Sequence, residues 1–148
     1  MANVGKGQAG SMKKTAGGGY FMVPAGPVQG TPVSTPATSD TYGSWVEMIA
    51  STSAPIYIVG FTLDPVGTTI EYVQLDIGTG AAASEASVSE WKVDFPSIDN
   101  QAETVTFPFP IPVATATRIA CRTADQENSV RGHLVALICI NQSDLVDL

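Results

Sequence analysis

An all-β fold, an antiparallel β-sandwich of jelly-roll-like type with an extended N-terminal arm, is predicted by three features of the sequence. The first is Val130–Ile140, the longest apolar run, rich in β-branched or compact residues and bounded by Asn128 and Asn141. Such a run reads as a buried strand in the middle of a sheet, with a short helix the alternative that periodicity alone leaves open; apolar on both faces, the strand needs a covering layer. The second is the recurrence of short strand-like runs separated by turn residues. The third is composition: charged residues make up only 14% of the chain, and Thr, Ser, Val, Ile, Gly and Pro dominate, which favours strands and turns over helices.

In chain order the strands are expected at Ser44–Ala50, Pro55–Leu63, Thr69–Ile77, Val88–Phe95, Glu103–Pro112, Thr115–Arg122 and Val130–Ile140. Between them lie Thr52-Ser53-Ala54-Pro55, Asp64-Pro65-Val66-Gly67, Gly78-Thr79-Gly80, Pro96–Asn100 and Asp125–Asn128, all residues that favour turns. The Ala-rich Ala81–Ser89 is given at most one helical turn. Alternation assigns faces: Val73, Leu75 and Ile77 inward with Tyr72, Gln74 and Asp76 outward; Ile119 and Cys121 inward with Arg118, Ala120 and Arg122 outward. Tyr57, Val59, Phe61 and Leu63 are expected to share a face. In Phe107-Pro108-Phe109-Pro110-Ile111-Pro112 alternate prolines delete every second backbone donor, so this strand belongs on a sheet edge with Phe107, Phe109 and Ile111 on the core.

Residues 1–39 are expected to form the extended arm and residues 40–148 the sandwich. The arm is dense in Gly and Pro and cannot bury enough surface by itself to offset its chain entropy. Its one apolar island, Tyr20-Phe21-Met22-Val23, is therefore expected to anchor it across a neighbouring subunit or lattice; the alternative is that Tyr20–Val23 adds an edge strand to its own domain. The arm carries Lys6, Lys13 and Lys14 and no acid, a charge of +3, whereas residues 40–148 hold all 14 acids against four bases, a charge of −10. A basic arm on an acidic body fits an acidic protein surface, its own neighbour's included, and the same lysines would also keep a flexible tail in solution.

Catalytic and metal-binding patterns are sparse. The single histidine, His133, falls inside the central strand and reads as a packed, hydrogen-bonded residue. No GxSxG elbow accompanies the many serines. Asp94, Asp99 and Glu103 lack the calcium-loop grammar, and Asp76 and Glu85 read as solvated or ion-paired carboxylates. Gly17-Gly18-Gly19 has no preceding strand and no following Lys-Ser/Thr, so it is not a phosphate loop. Cys121 and Cys139 read as small buried apolar residues in preference to a disulfide. No signal peptide or membrane span is expected, and Asn141-Gln142-Ser143 is taken as a chance match to a glycosylation sequon. Neither metal, cofactor, nucleic acid nor membrane is an expected partner. A body at −10 repels polyanions.

Three stretches carry a resemblance: Thr41–Ser51 with its Trp45-Val46-Glu47 opening, Leu75–Glu85 around Gly78-Thr79-Gly80, and Phe107–Pro112 running into Ala116–Arg122. Their order resembles a group of small tailed-bacteriophage virion proteins, the head decoration or cement proteins and related tail-surface modules, over roughly residues 41–140. The resemblance implies a non-enzymatic homodimer or homotrimer on the outer surface of the virion capsid, made in the bacterial host cytoplasm and bound to the major capsid protein. It brings no catalytic residue across. Interface anchors are expected at Lys6, Lys13, Lys14, Tyr20, Phe21, Met22, Val23, Tyr42 and Trp45, with core packing the alternative for Trp45. The competing expectation is a receptor- or glycan-binding module of a tail fibre or baseplate, which needs Tyr57, Tyr72 or Trp91 facing solvent.

Overall fold

The computed structural model describes residues 19–25, 29–67, 69–95 and 101–145. Nine strands lie among them: β1 Tyr20–Val23, β2 Thr31–Ser34, β3 Val46–Ile49, β4 Ile56–Asp64, β5 Tyr72–Thr79, β6 Ala86–Asp94, β7 Glu103–Val113, β8 Ile119–Asp125 and β9 Gly132–Asn141. A short 3-10 turn, Gln142–Asp144, follows β9. Two antiparallel sheets pack face to face. One has the order β1-β9-β4-β7, with β2 also paired to β9; the other runs β3-β8-β5-β6. With β1 and β2 sharing one edge, these are the two four-stranded layers of a jelly roll, in which all but one of the later connections cross from sheet to sheet. The exception is the β5–β6 hairpin.

β9 is the central strand that its sequence requires, flanked by β4 on one side and by β1 and β2 on the other. Its inward row, Val135, Leu137 and Cys139, meets Ile119, Cys121, Val73, Leu75 and Ile77 from the opposite sheet in one core. Cys121 and Cys139 are both buried and free. Burial pushes both thiols up, Cys139 to about 12 and Cys121 further, so both stay protonated as packed apolar groups.

The N-terminal segment is where the expected organisation is corrected. Tyr20–Val23 adds an edge strand to its own domain: β1 pairs with Ile140–Leu137 of its own β9. β2 continues the same edge against Val135–Gly132. The two behave as one strand interrupted opposite Ala136, and the chain returns to the sheet at Gly30. There φ is +154° and an added Cβ would lie 2.8 Å from the Val135 backbone, a fit open only to glycine. The alternative edge-strand reading of Tyr20–Val23 is thus the observed one, because Phe21 and Val23 gain more by packing on the core than a free arm could offer. The sandwich begins no later than β1, well before residue 40. Residues 1–18, with Lys6, Lys13 and Lys14, lie outside the described residues.

Irregularities in the ladders explain the remaining differences. β4 carries one extra residue, Val59, between the pairs Ile58↔Cys139 and Gly60↔Ile138. The bulge switches faces mid-strand. Ile56, Ile58, Phe61 and Leu63 enter the core, while Tyr57 shares the outward side with its partner Ile140, contrary to the single alternation expected from Tyr57 to Leu63. β7 is an edge strand, as its prolines require, but it bulges further. Phe107–Pro110 together stand opposite Val59 alone, between Thr106↔Gly60 and Ile111↔Ile58. Phe107 turns inward, whereas Phe109, expected on the core, is 83% exposed. The Ala-rich segment forms a turn closed by the Ser84 N–H donating to the Ala81 carbonyl, then strand β6 from Ala86.

The open seam between β6 and β7 is filled by rings. Trp91 stacks on Phe107 with centroids 4.8 Å apart, and Phe61 meets both edge-on. At the opposite seam the closure is polar. The Thr123 hydroxyl donates to the Val33 carbonyl at 2.8 Å, and His133 on β9 meets Asp125 on β8 at 2.7 Å.

Candidate functional site

Three regions gather the chemically distinctive residues. The first is the buried His133–Asp125 pair. His133 Nδ1 accepts the Val66 N–H at 3.0 Å, so the ring carries its proton on Nε2 and donates it to Asp125 Oδ2. Asp125 Oδ1 accepts the Glu127 N–H. Burial lowers the imidazole pKa, and Arg131 adds to the effect against the opposing pull of Asp125. With both ring nitrogens committed and no access to solvent, the pair ties the sheets together and presents nothing to a substrate.

A pH dependence follows. The unfolded histidine takes up a proton near pH 6.5 and the folded one only at lower pH. The stabilising contribution is whole above about pH 6.5 and declines as the pH falls toward the depressed folded value, because the unfolded state then binds more protons. Urea midpoints measured from about pH 7.5 down to 5.5, above the range in which ordinary carboxylates titrate, should fall. His133→Gln should lower the midpoint at neutral pH and flatten that slope; an unchanged slope would show that another group is responsible.

The second region is the outer face of the β3-β8-β5-β6 sheet. Residues 40–45 run along its β8 edge, where the Asp40 and Gly43 N–H groups donate to the Asp125 and Thr123 carbonyls, and they send the Tyr42 and Trp45 side chains over the face. Tyr42 and Trp45 each lie against the Arg122 guanidinium, at 4.7 and 4.4 Å from the ring centroids. Trp45 also covers Gly78 so closely that an added Cβ there would be 2.6 Å from the indole. Under this lid sits Asp76, expected outward and found on that side, yet 0% exposed. Its carboxylate accepts from Arg122 at 2.8 Å and from the Ser87 hydroxyl. Ala120 lies on the same side and is fully covered as well. Burial and a hydrogen bond to Glu90 hold the Tyr42 hydroxyl well above its ordinary pKa. Arg118 bridges Glu47 and Glu85, so Asp76 and Glu85 are each paired with an arginine and not with one another. Tyr42 and Trp45, half-buried, are thus neither core residues nor free anchors.

The third region is the outer face of the β1-β9-β4-β7 sheet, which the sequence marks by making β9 apolar on both sides. The outward row of β9 is Leu134, Ala136, Ile138 and Ile140, opposite the inward core row. Register places Tyr20 beside Ile140 and Met22 beside Ile138. Tyr20 is 52% and Met22 37% exposed. Tyr20, Val59, Thr106, Phe107, Pro110 and Ile138 line a groove of about 270 Å³. Phe109 stands beside it in solvent, in the same bulge as Phe107 and Pro110, which with Thr106 form its β7 wall. Among the described residues, the only charge on the outward side of these strands is Asp64, at the far end of β4.

Of the expected anchors, then, Tyr20 and Met22 face solvent on this third surface, Phe21 and Val23 pack on the core, and Tyr42 and Trp45 cover the opposite sheet. Alternation assigns Phe109 to the core; only the bulge puts it outside. Of the rings that a glycan site would use, Trp91 is stacked in the seam, and Tyr72 donates to Asp40 with Lys92 over its face, its pKa pushed up to about 12 by that hydrogen bond. Among the described residues, no group of three or more His, Cys, Asp or Glu side chains is placed to hold a metal ion. No protein-family model matches the chain, and no curated protein matches it in sequence.

Proposed function

We propose that the chain is a structural protein of a tailed-bacteriophage virion, a decoration or cement protein that binds the major capsid lattice from outside and strengthens the head. The observation that carries this reading is the outer face of the β1-β9-β4-β7 sheet, apolar along β1 and β9 and charged only at Asp64 among the described residues of its strands, on a body otherwise dominated by acids. A solvated sheet face is ordinarily polar, and a contiguous apolar one fits a contact between subunits. The jelly roll is a frequent shell and lectin architecture, which supports the reading by analogy alone. Attachment rests on the faces of the sandwich, since Tyr20–Val23 belongs to the body; the +3 carried by Lys6, Lys13 and Lys14 would add attraction to an acidic neighbour.

The test is a count. Purified virions should contain the chain in fixed stoichiometry with the major capsid protein, in hundreds of copies, as a lattice with repeated sites demands. Particles lacking it should release DNA at lower temperature or on milder osmotic shock. A handful of copies per virion would reject the reading in favour of a tail-fibre or baseplate module. For that alternative, Tyr57, half-buried on the outward side of β4, is the ring left for stacking.

A further inference from the structure

The apolar face has a shape that specifies its occupant. It presents a knob, Phe109, and beside it a groove lined by Tyr20, Val59, Thr106, Phe107, Pro110 and Ile138. Both arise from one irregularity. The four-residue bulge Phe107–Pro110 opposite Val59 pushes Phe109 out while Phe107 turns in and Pro110 forms the wall. We propose that this face is a two-fold dimer interface, in which Phe109 of each copy fills the groove of the other. The inference rests on the assembly reading and deepens it by naming the partner on this face as a second copy of this chain, so that paired copies, and not single chains, meet the lattice.

Three considerations select that partner. A two-fold contact must be self-complementary, each surface offering both the projecting group and its receptor. Here the two are adjacent, so an axis passing between them satisfies both insertions at once. The groove, about 270 Å³, has room for a phenyl ring and is walled by apolar and ring atoms of the kind a phenyl ring packs against. Charge supplies the second consideration. Residues 40–148 carry −10, and two such bodies repel unless they meet where the charges are absent. Asp64, the only outward charge of these strands among the described residues, is four residues beyond Gly60, which places it roughly 14 Å along β4 from the groove. Area is the third. Four strands at ~4.8 Å spacing and the length of β9 give a face of roughly 20 by 30 Å. With side-chain relief this approaches the ~800 Å² per partner of a standard interface.

The experiment is sedimentation equilibrium on the full chain between about 1 and 100 μM, the range where an interface of this size and ordinary affinity dissociates. Wild type should behave as a dimer. Phe109→Ser removes the knob, and Thr106→Arg places a charge at the groove; both positions are exposed, and neither substitution should shift the urea midpoint measurably. Each should weaken the dimer by about thirtyfold or more, the loss typical of a central aromatic anchor. Mixing the two variants restores one insertion, because the Phe109→Ser chain keeps an open groove and the Thr106→Arg chain keeps its phenylalanine. The mixture should therefore form heterodimers more tightly than either variant self-associates. Val88→Ser, on the opposite sheet, should leave association unchanged. A monomeric wild type, a dimer indifferent to both substitutions, or a mixture no tighter than its components would each overturn the proposal. A monomeric result would leave the virion count standing; a dimer present in few copies per particle would reject the decoration reading and keep the interface.

Discussion

Replacing Gly60 with alanine should cost about 3 kcal/mol or more, the upper range for forcing atoms into a packed site. An alanine Cβ at this position would lie 2.2 Å from the Val105 carbonyl oxygen. The atom in the way is main chain, so no rotamer change relieves the contact. Either β7 moves off β4 or the bulge at Val59 is rebuilt. Because β7 lies at the sheet edge, its displacement is the cheaper route, and it would open the seam where Phe107 stacks on Trp91. Thermal unfolding should show a drop of roughly 10 °C for a chain of this size, with the Trp91 fluorescence altered before the transition. An alanine variant within about 1 °C of wild type would show that the close β4–β7 approach is not needed.

Arg122→Ala is expected to destabilise by about 3 kcal/mol, toward the low end of the cost of leaving a buried charge without its partner. Asp76 is fully buried, while Arg122 retains some access to water. Removing the guanidinium leaves Asp76 with the Ser87 hydroxyl and strips Tyr42 and Trp45 of the group they stack on. Solvent can enter where the arginine was, which keeps the loss below the extreme. The Asp76→Ala/Arg122→Ala double variant should lose less than the sum of the two single variants, since the second deletion removes the charge that the first one stranded. Urea denaturation of all four members of the cycle checks this. Strict additivity would mean that the two side chains are independent and that the lid is held by packing alone.

The parts of this protein legible in the sequence are those fixed by local pattern. Val130–Ile140 reads as a central strand because its residues are mostly β-branched or compact and apolar on both sides, and β9 is that strand. The prolines of Phe107–Pro112 force an edge because they remove donors, and β7 is on the edge. Cys121 and Cys139 read as packed thiols from their inward positions, and they are free and buried. The candidate surface is half legible. A β9 apolar on both faces implies a covering partner, but alternation alone puts Phe109 on the wrong side of β7.

That division has a physical cause. Pattern alone determined which segments are strands and which residues alternate, because side-chain period and missing backbone donors are properties of the chain itself. Tertiary structure decided which ladder each strand joined and where the alternation breaks. The Tyr20–Val23 island paired with its own β9 because the core offered Phe21 and Val23 a site within reach. The inserted residue at Val59 and the Phe107–Pro110 bulge depend on the register of two neighbouring strands at once, information that no single segment contains. The exposed phenylalanine and the groove beside it exist only as products of that register.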